Sequence, residues 1–375
     1  MSWVEWLCLL GVASYVVRGS FFVLGAWREW RRDRAAKGVA PEGELPSVSV
    51  IIPARNEEQT IARCVESVMA SDYPRFEVIV VDDRSTDRTA EVLQELQQRY
   101  GERLRVIHRR EEPRERNLQG KAGALHCGME QARGEVAAFT DADCIVPPTW
   151  LRAVVAPFRH PEVGFVAGLT VVSGRRLFDR IQAAEWLLLG AAGGAGVGWR
   201  QALGCYGNNM AVRCRAYWDV GGYARIPFSV TEDLSLQQAI HRRGWRMRFL
   251  FGPEGMVSTL PVATVWDRLR QLQRWGRGGL LLGGWAVGFG MTTVLFWGAV
   301  FAALLAGEWL WTLGLVGCRL VADGALGVLA TWTLRRWQLL WALPLGILTL
   351  AVVELVLPFL VFLQPRVRWK GRTLS

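Results

Sequence analysis

The chain has 375 residues, room for two or three compact units, and carries 44 Lys and Arg against 34 Asp and Glu, a formal net charge of +10. Its 51% apolar content excludes disorder as the main state, and the long apolar runs at both ends exclude a purely soluble protein. The seven cysteines form no CxxC pair and the four histidines no zinc-ligand spacing, so the thiols are expected reduced and mostly buried, in a cytosolic setting.

From Leu7 to Trp27 the chain is nearly all apolar, broken by Arg18. A span needs about 20 such residues. Glu5 precedes the run, and the basic cluster Arg28, Arg31, Arg32, Arg34 and Lys37 follows it. A cleaved signal peptide would carry its positive charge first. The pattern predicts an uncleaved anchor over residues 1–27, N-terminus outside, and a basic juxtamembrane linker over 28–45 in the cytoplasm.

Over residues 46–262 the pattern changes. Apolar runs at Val48–Ile52, Phe76–Val81, Leu104–His108 and Val136–Thr140 alternate with helical spacing at Glu57–Ala70, Asp87–Tyr100 and Lys121–Arg133. This predicts an α/β domain with a mostly parallel sheet covered on both faces. Ligands of such sheets bind at the carboxyl ends of the strands. There the chain places Pro53-Ala54-Arg55-Asn56-Glu57, Asp82-Asp83-Arg84 and Asp141-Ala142-Asp143. Gathered carboxylates repel one another unless something cationic sits among them. A divalent metal carrying a diphosphate is the economical answer. Asp-Ala-Asp after a strand projects both carboxylates from one face, and hard oxygen ligands suit Mg²⁺ or Mn²⁺. Asp87 is expected to cap the helix that follows it.

Leu177–Gly190 is amphipathic and is expected to break at Gly193, Gly194, Gly196 and Gly198. It is either ordinary core packing or an interfacial helix that admits a lipid. Thr231-Glu232-Asp233 opens a helix, where the dipole favours a carboxylate. Residues 263–279 form a Trp- and Arg-rich interfacial helix suited to anionic lipid, with Gln271, Arg274 and Trp275 on one face.

Residues 280–363 form a membrane region of two or three spans, with candidates Leu280–Ala306, Trp309–Leu334 and Leu339–Leu363. Three spans would leave the tail (364–375) outside, yet Arg366, Arg368, Lys370 and Arg372 favour the inside. One segment is therefore expected to be re-entrant or interfacial. The suspect is the second, whose Arg319 and Asp323 can pair along one helix face as a buried structural ion pair. Glu354 is a lone acid in the third, facing a partner, a polar cavity or an acceptor head group.

Taken in order, the Asp-Ala-Asp, Thr-Glu-Asp and Gln-x-x-Arg-Trp segments resemble the membrane-embedded inverting family 2 glycosyltransferases with a GT-A fold. The resemblance covers nearly the whole chain. It implies Asp233 as the general base that takes the acceptor's proton, a step typically worth 10²–10⁴ in rate. It implies Asp143 as the direct metal ligand, with Asp141 supporting the donor sugar or ribose. Pro53, Ala54 and Glu57 would line base and ribose, Asp83 would meet the base, and Lys121 would reach the nucleotide. Gln271 falls in the same donor-binding set. Arg274 would hold the diphosphate and Trp275 would stack on sugar or acceptor. Gly207-Asn208-Asn209-Met210 would border the acceptor pocket. Arg84 and His126 stand where the family more often has Gly and Asn.

The family includes cellulose, chitin and hyaluronan synthases as well as enzymes adding one sugar to a lipid. Few spans with few polar residues favour a single transfer to the hydroxyl or carboxyl of a membrane lipid, and the resemblance implies a UDP-sugar as donor. A processive polysaccharide synthase is the alternative. Trp369-Lys370-Gly371-Arg372 resembles the carotenoid and hopanoid glycosyltransferase-like group. No nucleic acid partner is expected: the basic residues cluster beside spans, where anionic lipid is the simpler partner. The enzyme is expected to be integral to the inner membrane, with a cytoplasmic catalytic domain.

Overall fold

A computed structural model describes residues 1–37, 45–363, 367–369 and 372–374. Residues 38–44 of the expected linker, and Arg366, Lys370 and Gly371 of the tail, lie outside the described residues.

The α/β core is a seven-stranded mixed sheet. Its first half is β1 (Val48–Ala54), β2 (Phe76–Asp83), β3 (Leu104–Arg109) and β4 (Val136–Phe139), all parallel. β1 and β2 are rich in β-branched residues and, with β4, are buried on both faces, as a covered parallel sheet requires, while the edge strand β3 is buried only at Leu104. Helices α2 (Ile61–Met69), α3 (Thr89–Tyr100) and α4 (Gly120–Gln131) connect them, and α5 (Trp150–Val155) follows β4. The second half adds β5 (Val163–Gly168), β7 (Met210–Arg213) and β8 (Arg246–Leu250) in the order β3-β2-β1-β4-β7-β5-β8, with β7 antiparallel to both neighbours. A small parallel pair, β6 (Thr170–Val172) with β9 (Val257–Thr259), flanks it.

Between the strands of this half run α6 (Leu177–Gly198), the short α7 (Cys214–Asp219) and α8 (Gly222–Arg225), and α9 (Glu232–Arg242). The expected break in α6 does not occur. Its glycines are contact points: a Cβ on Gly193 would lie 2.5 Å from the Gly204 carbonyl oxygen, and one on Gly198 1.9 Å from that of Gly25. Helix propensity yields here to close packing of backbones. The helix expected from Glu57 starts later, at Ile61. Asn56 sits at φ 53°, and the Glu57 N–H donates to Thr89 Oγ1 at 2.7 Å, which holds this segment as a turn.

Among the described residues, four helices are long and apolar enough to cross a membrane. They are α1 (Trp3–Lys37), α11 (Gly284–Leu305), α12 (Trp309–Thr333) and α13 (Leu343–Leu363), preceded in the last three cases by α10 (Val265–Gly279). The anchor–linker boundary expected at residue 27 falls inside one continuous helix. Beyond it, buried Glu29 accepts from Arg248 Nε at 2.7 Å and from the Phe249 N–H at 3.1 Å, along the outer edge of β8. Asp33 accepts from the Phe251 N–H at 3.4 Å.

The suspected second segment is an unbroken helix, α12, and Arg319 does face Asp323 at 3.5 Å. Glu354 is not alone. It accepts from Arg18 Nη2 at 3.0 Å and Arg319 Nη1 at 2.8 Å, while the Tyr15 hydroxyl donates to Asp323 at 2.7 Å. Beyond α13, β10 (Val367–Trp369) and β11 (Arg372–Leu374) pair antiparallel.

Candidate active site

The carboxyl ends of β1, β2 and β4 open into a cleft. It gathers every residue expected to serve catalysis, donor binding or metal: Pro53, Ala54, Glu57 and Asp83 on one wall, Asp141 and Asp143 beside them, then Lys121, Asp233, Gln271, Arg274 and Trp275. The two left-handed residues Asn56 and Arg84 (φ 53° and 60°) turn the ends of β1 and β2 so that their loops interlock. The Asn56 N–H donates to Ser85 Oγ at 3.0 Å, and the Thr86 N–H returns a bond to Asn56 Oδ1 at 2.8 Å.

Asp83 is buried and accepts from Arg84 Nε at 3.0 Å and Arg109 Nη1 at 3.1 Å, with Arg55 at 3.9 Å. Arg109 also donates to the Gly120 carbonyl at 3.4 Å, so one guanidinium ties the end of β2 to the start of α4. At the next residue, Lys121 Nζ sits 2.7 Å from Asp141 and 3.1 Å from Glu232. Burial works against its charge, but Asp141 and Glu232 outweigh it and hold the ammonium above its ordinary value.

Asp233 is on the first turn of α9. Its Oδ2 accepts from the Gly207 N–H and its Oδ1 from the Leu234 N–H, both at 2.8 Å. Burial, then the neighbouring Glu232 carboxylate, pushes it up to about 6, against the pull of Lys121, the Leu234 N–H and Arg274. A carboxyl titrating near neutrality inside a cleft is suited to moving a proton.

Asp143 accepts from Thr259 Oγ1 at 3.4 Å. Among the described residues, no cluster of three or more His, Cys, Asp or Glu is placed to hold a metal. The protein thus offers the Asp141 and Asp143 carboxylates. That fits Mg²⁺ or Mn²⁺, which keep waters and share substrate phosphates rather than filling an all-protein cage.

The end of the cleft nearest the long apolar helices is built by α10 and α6. Arg274 Nη1 donates to the Val230 carbonyl at 3.3 Å. Trp275, Trp186 and Tyr206 form an aromatic trio with ring centroids 4.4–5.9 Å apart. Beneath it, buried Arg268 donates to Glu185 at 2.7 Å and to Gln271 Oε1 at 2.5 Å, its guanidinium 5.1 Å from the Trp275 ring. Glu185 also accepts from Thr349 of α13 at 2.6 Å.

Glu232, Arg55, Trp186, Tyr206 and Thr259 line the cleft and escaped the sequence reading. Glu232 and Arg55 were in view as neighbours of chosen residues. The Arg268–Glu185 pair joins positions far apart in the chain and left no local signal. Two expectations shift. Gly207 and Asn208 border the cleft, but Asn209 is a fully buried strut between Trp150 and the Leu169 and Gly255 carbonyls. His126 points into the core, its Nδ1 2.7 Å from the Tyr217 hydroxyl, so the departure from Asn there leaves the cleft untouched.

This sheet order, with acids at the carboxyl ends of the parallel strands, defines a GT-A fold. Residues 49–221 match glycosyl transferase family 2 and residues 138–363 match glycosyl transferase family group 2. The chain belongs to this family. It is similar to the beta-monoglucosyldiacylglycerol synthases of Synechocystis sp. (29% identical, covering 72% of this chain and 60% of that protein) and Nostoc sp. (31%, covering 64% and 50%). It is also similar to the poly-beta-1,6-N-acetyl-D-glucosamine synthase of Staphylococcus aureus (27%, covering 63% and 55%). The chain thus spans between half and three fifths of the length of these relatives. The mannosyltransferase PcManGT from Pyrobaculum calidifontis, solved with GDP-Man and Mn²⁺, shares the fold: TM-score 0.55 and 22% identity over 92% of this chain and 99% of that one.

Proposed function

We propose that this chain transfers one sugar, with inversion, from a nucleotide-sugar donor, a UDP-sugar in the first instance, to the hydroxyl or carboxyl of a membrane lipid. The observation that carries the reading is the position of Asp233. A carboxyl raised to about 6 lies in the same cleft as the Asp141 and Asp143 carboxylates, and α10, the helix that closes the cleft, packs on the apolar helix α13.

Pro53, Ala54, Glu57 and Asp83 hold base and ribose. Lys121 and Arg274 offer cationic donors to the diphosphate and to the charge that develops as it leaves. Asp143, with Asp141, would hold Mg²⁺ or Mn²⁺, which when bound supplies charge neutralisation for the diphosphate. Deprotonated Asp233 accepts the acceptor proton, and the freed oxygen attacks the anomeric carbon from the face opposite the leaving group. Trp275, Trp186 and Tyr206 give that end of the cleft flat apolar faces for a sugar or lipid, while Gln271 offers an amide.

A synthase that exports a polymer needs a polar path through the bilayer. The intramembrane charges Arg18, Arg319, Asp323 and Glu354 are engaged with one another, which supports single transfer over the processive alternative. We place the catalytic domain in the cytoplasm of the cell, on the inner membrane.

The test supplies membranes carrying the chain with labelled UDP-glucose, UDP-galactose, UDP-N-acetylglucosamine or GDP-mannose, with Mg²⁺ or Mn²⁺. Label is expected in the organic phase, and absent with Asp233→Asn. Label in a high-mass aqueous product would overturn single transfer.

A further inference from the structure

Of the four helices apolar enough to cross a bilayer, α13 is the most hydrophobic. We propose that it does not cross. It lies lengthwise in the leaflet on the catalytic side, presents Leu345, Leu348, Val352, Val356 and Phe359 to the acyl chains of that leaflet, and returns the C-terminal tail to the side of the catalytic domain.

Twenty-one residues make a helix about 32 Å long, so an upright α13 would carry its far end roughly 30 Å from the catalytic domain. Both halves of α13 instead touch the layer that bounds the cleft. In the first half, Gly346 abuts α6 so closely that a Cβ there would lie 2.8 Å from that of Ala184. Thr349 Oγ1 donates to Glu185, also of α6, at 2.6 Å. In the second half, Leu357 packs on Gly276 of α10, where an added Cβ would meet it at 2.8 Å, and the Leu360 carbonyl accepts from Gln273 Nε2 at 2.8 Å. Gln273 follows Gln271 by about 200° around α10, so α13 runs along the side of α10 that faces away from the cleft. Neither α6 nor α10 is deep in the bilayer: Trp186, Gln271, Arg274 and Trp275 line the cleft, and Gly278 abuts Thr231 beside Asp233.

The middle of α13 is pinned by crossing helices. Glu354 receives Arg18 from α1 and Arg319 from α12, long side chains that can carry charge along the bilayer normal. On the other side of α13, Leu345, Leu348, Val352, Val356 and Phe359 are 36%, 45%, 60%, 39% and 66% exposed, at spacings that fall on one face. Leu343, Ile347, Ala351 and Val361 on the covered face are buried. An isolated interfacial helix carries a charged face for water. Here the protein itself meets those polar needs, so the sequence reads as a plain span.

Three crossings remain, α1, α11 and α12. With the N-terminus outside they leave the tail inside, where its basic residues belong. Strand β10 lies beside α10, on that same side. The segment that fails to cross is thus the third of the C-terminal candidates, not the second.

The test places single cysteines in the full chain, after replacement of its own seven. The sites are Glu102→Cys in the catalytic domain, Glu308→Cys between α11 and α12, and Thr373→Cys in the tail. A membrane-impermeant maleimide is applied to spheroplasts and to inverted vesicles. Thr373→Cys is expected to label from the same side as Glu102→Cys, and Glu308→Cys from the other. Labelling of Thr373→Cys together with Glu308→Cys would show that α13 crosses and overturn the proposal. Should the replaced-cysteine background fail to fold, the unmodified chain fused after Ser375 to a fluorescent protein or to alkaline phosphatase decides the same question. Fluorescence with no phosphatase activity supports the proposal, and the reverse overturns it.

Discussion

Lys121 Nζ lies 2.7 Å from Asp141 and within 3.1 Å of Glu232, so one ammonium bridges the end of β4 and the start of α9. It also lowers the proton affinity of Asp233. Lys121→Met is therefore expected to act twice: kcat/KM falls by about 10²-fold, and the acid limb of the pH–rate profile moves above its wild-type position near 6. A profile that drops in height without moving would separate Lys121 from Asp233.

Asp233 also sets a stability term with a definite sign. Its carboxyl is raised in the folded state from 3.8 to about 6, so the folded chain binds this proton more tightly than the unfolded chain. That contribution is present below about pH 4 and is lost as pH rises through 6. Asp233→Asn removes the penalty of a buried charge, on the order of 3 kcal/mol. It should raise Tm at pH 8 and leave it nearly unchanged at pH 4, while abolishing transfer and sparing donor binding. Thermal unfolding across pH in detergent reads the difference.

Asp143→Ala should weaken donor binding in Mn²⁺ by about tenfold or more, since one of two carboxylates is lost. Chelation of divalent metal should do the same to the wild type and little further to the variant. Calorimetric titration with UDP, with and without Mn²⁺, checks both.

Arg268 and Glu185 form a buried pair beneath Gln271 and Trp275. Removing one partner, as in Arg268→Ala, costs about 3–5 kcal/mol. Replacing both, as in Glu185→Leu with Arg268→Met, is expected to restore Tm, because apolar residues of similar volume substitute for buried pairs at little cost. Activity should not return with it. Gln271 loses its donor, and kcat/KM stays about tenfold down.

Gly198→Ala would place a methyl 1.9 Å from the Gly25 carbonyl oxygen, where α1 crosses α6. Neither backbone can give way without moving its helix, so destabilisation of about 1–3 kcal/mol or more is expected. Gly288→Ala, with open space around it, serves as the control with unchanged Tm.

The cleft was legible because its parts are local: each acid follows a strand or opens a helix, and the carboxyl-end rule says where such residues meet. What the sequence hid depends on distant partners. Glu354 read as solitary because Arg18 lies 336 residues away. The α6 glycines read as a break because nothing nearby shows that Gly25, Gly204 and Phe249 pack against them.

Glu29 and Asp33 meet backbone N–H groups at and just beyond β8, the last strand of the sheet. The N-terminal helix α1 is thus also a lateral seal. A fragment trimmed to begin at Val48, as one would cut it to obtain a water-soluble catalytic piece, would lose that seal and offer an open β edge to its neighbours. Such a fragment should self-associate through β8, and soluble expression should demand residues from Arg28 onward or a charged substitute along that edge.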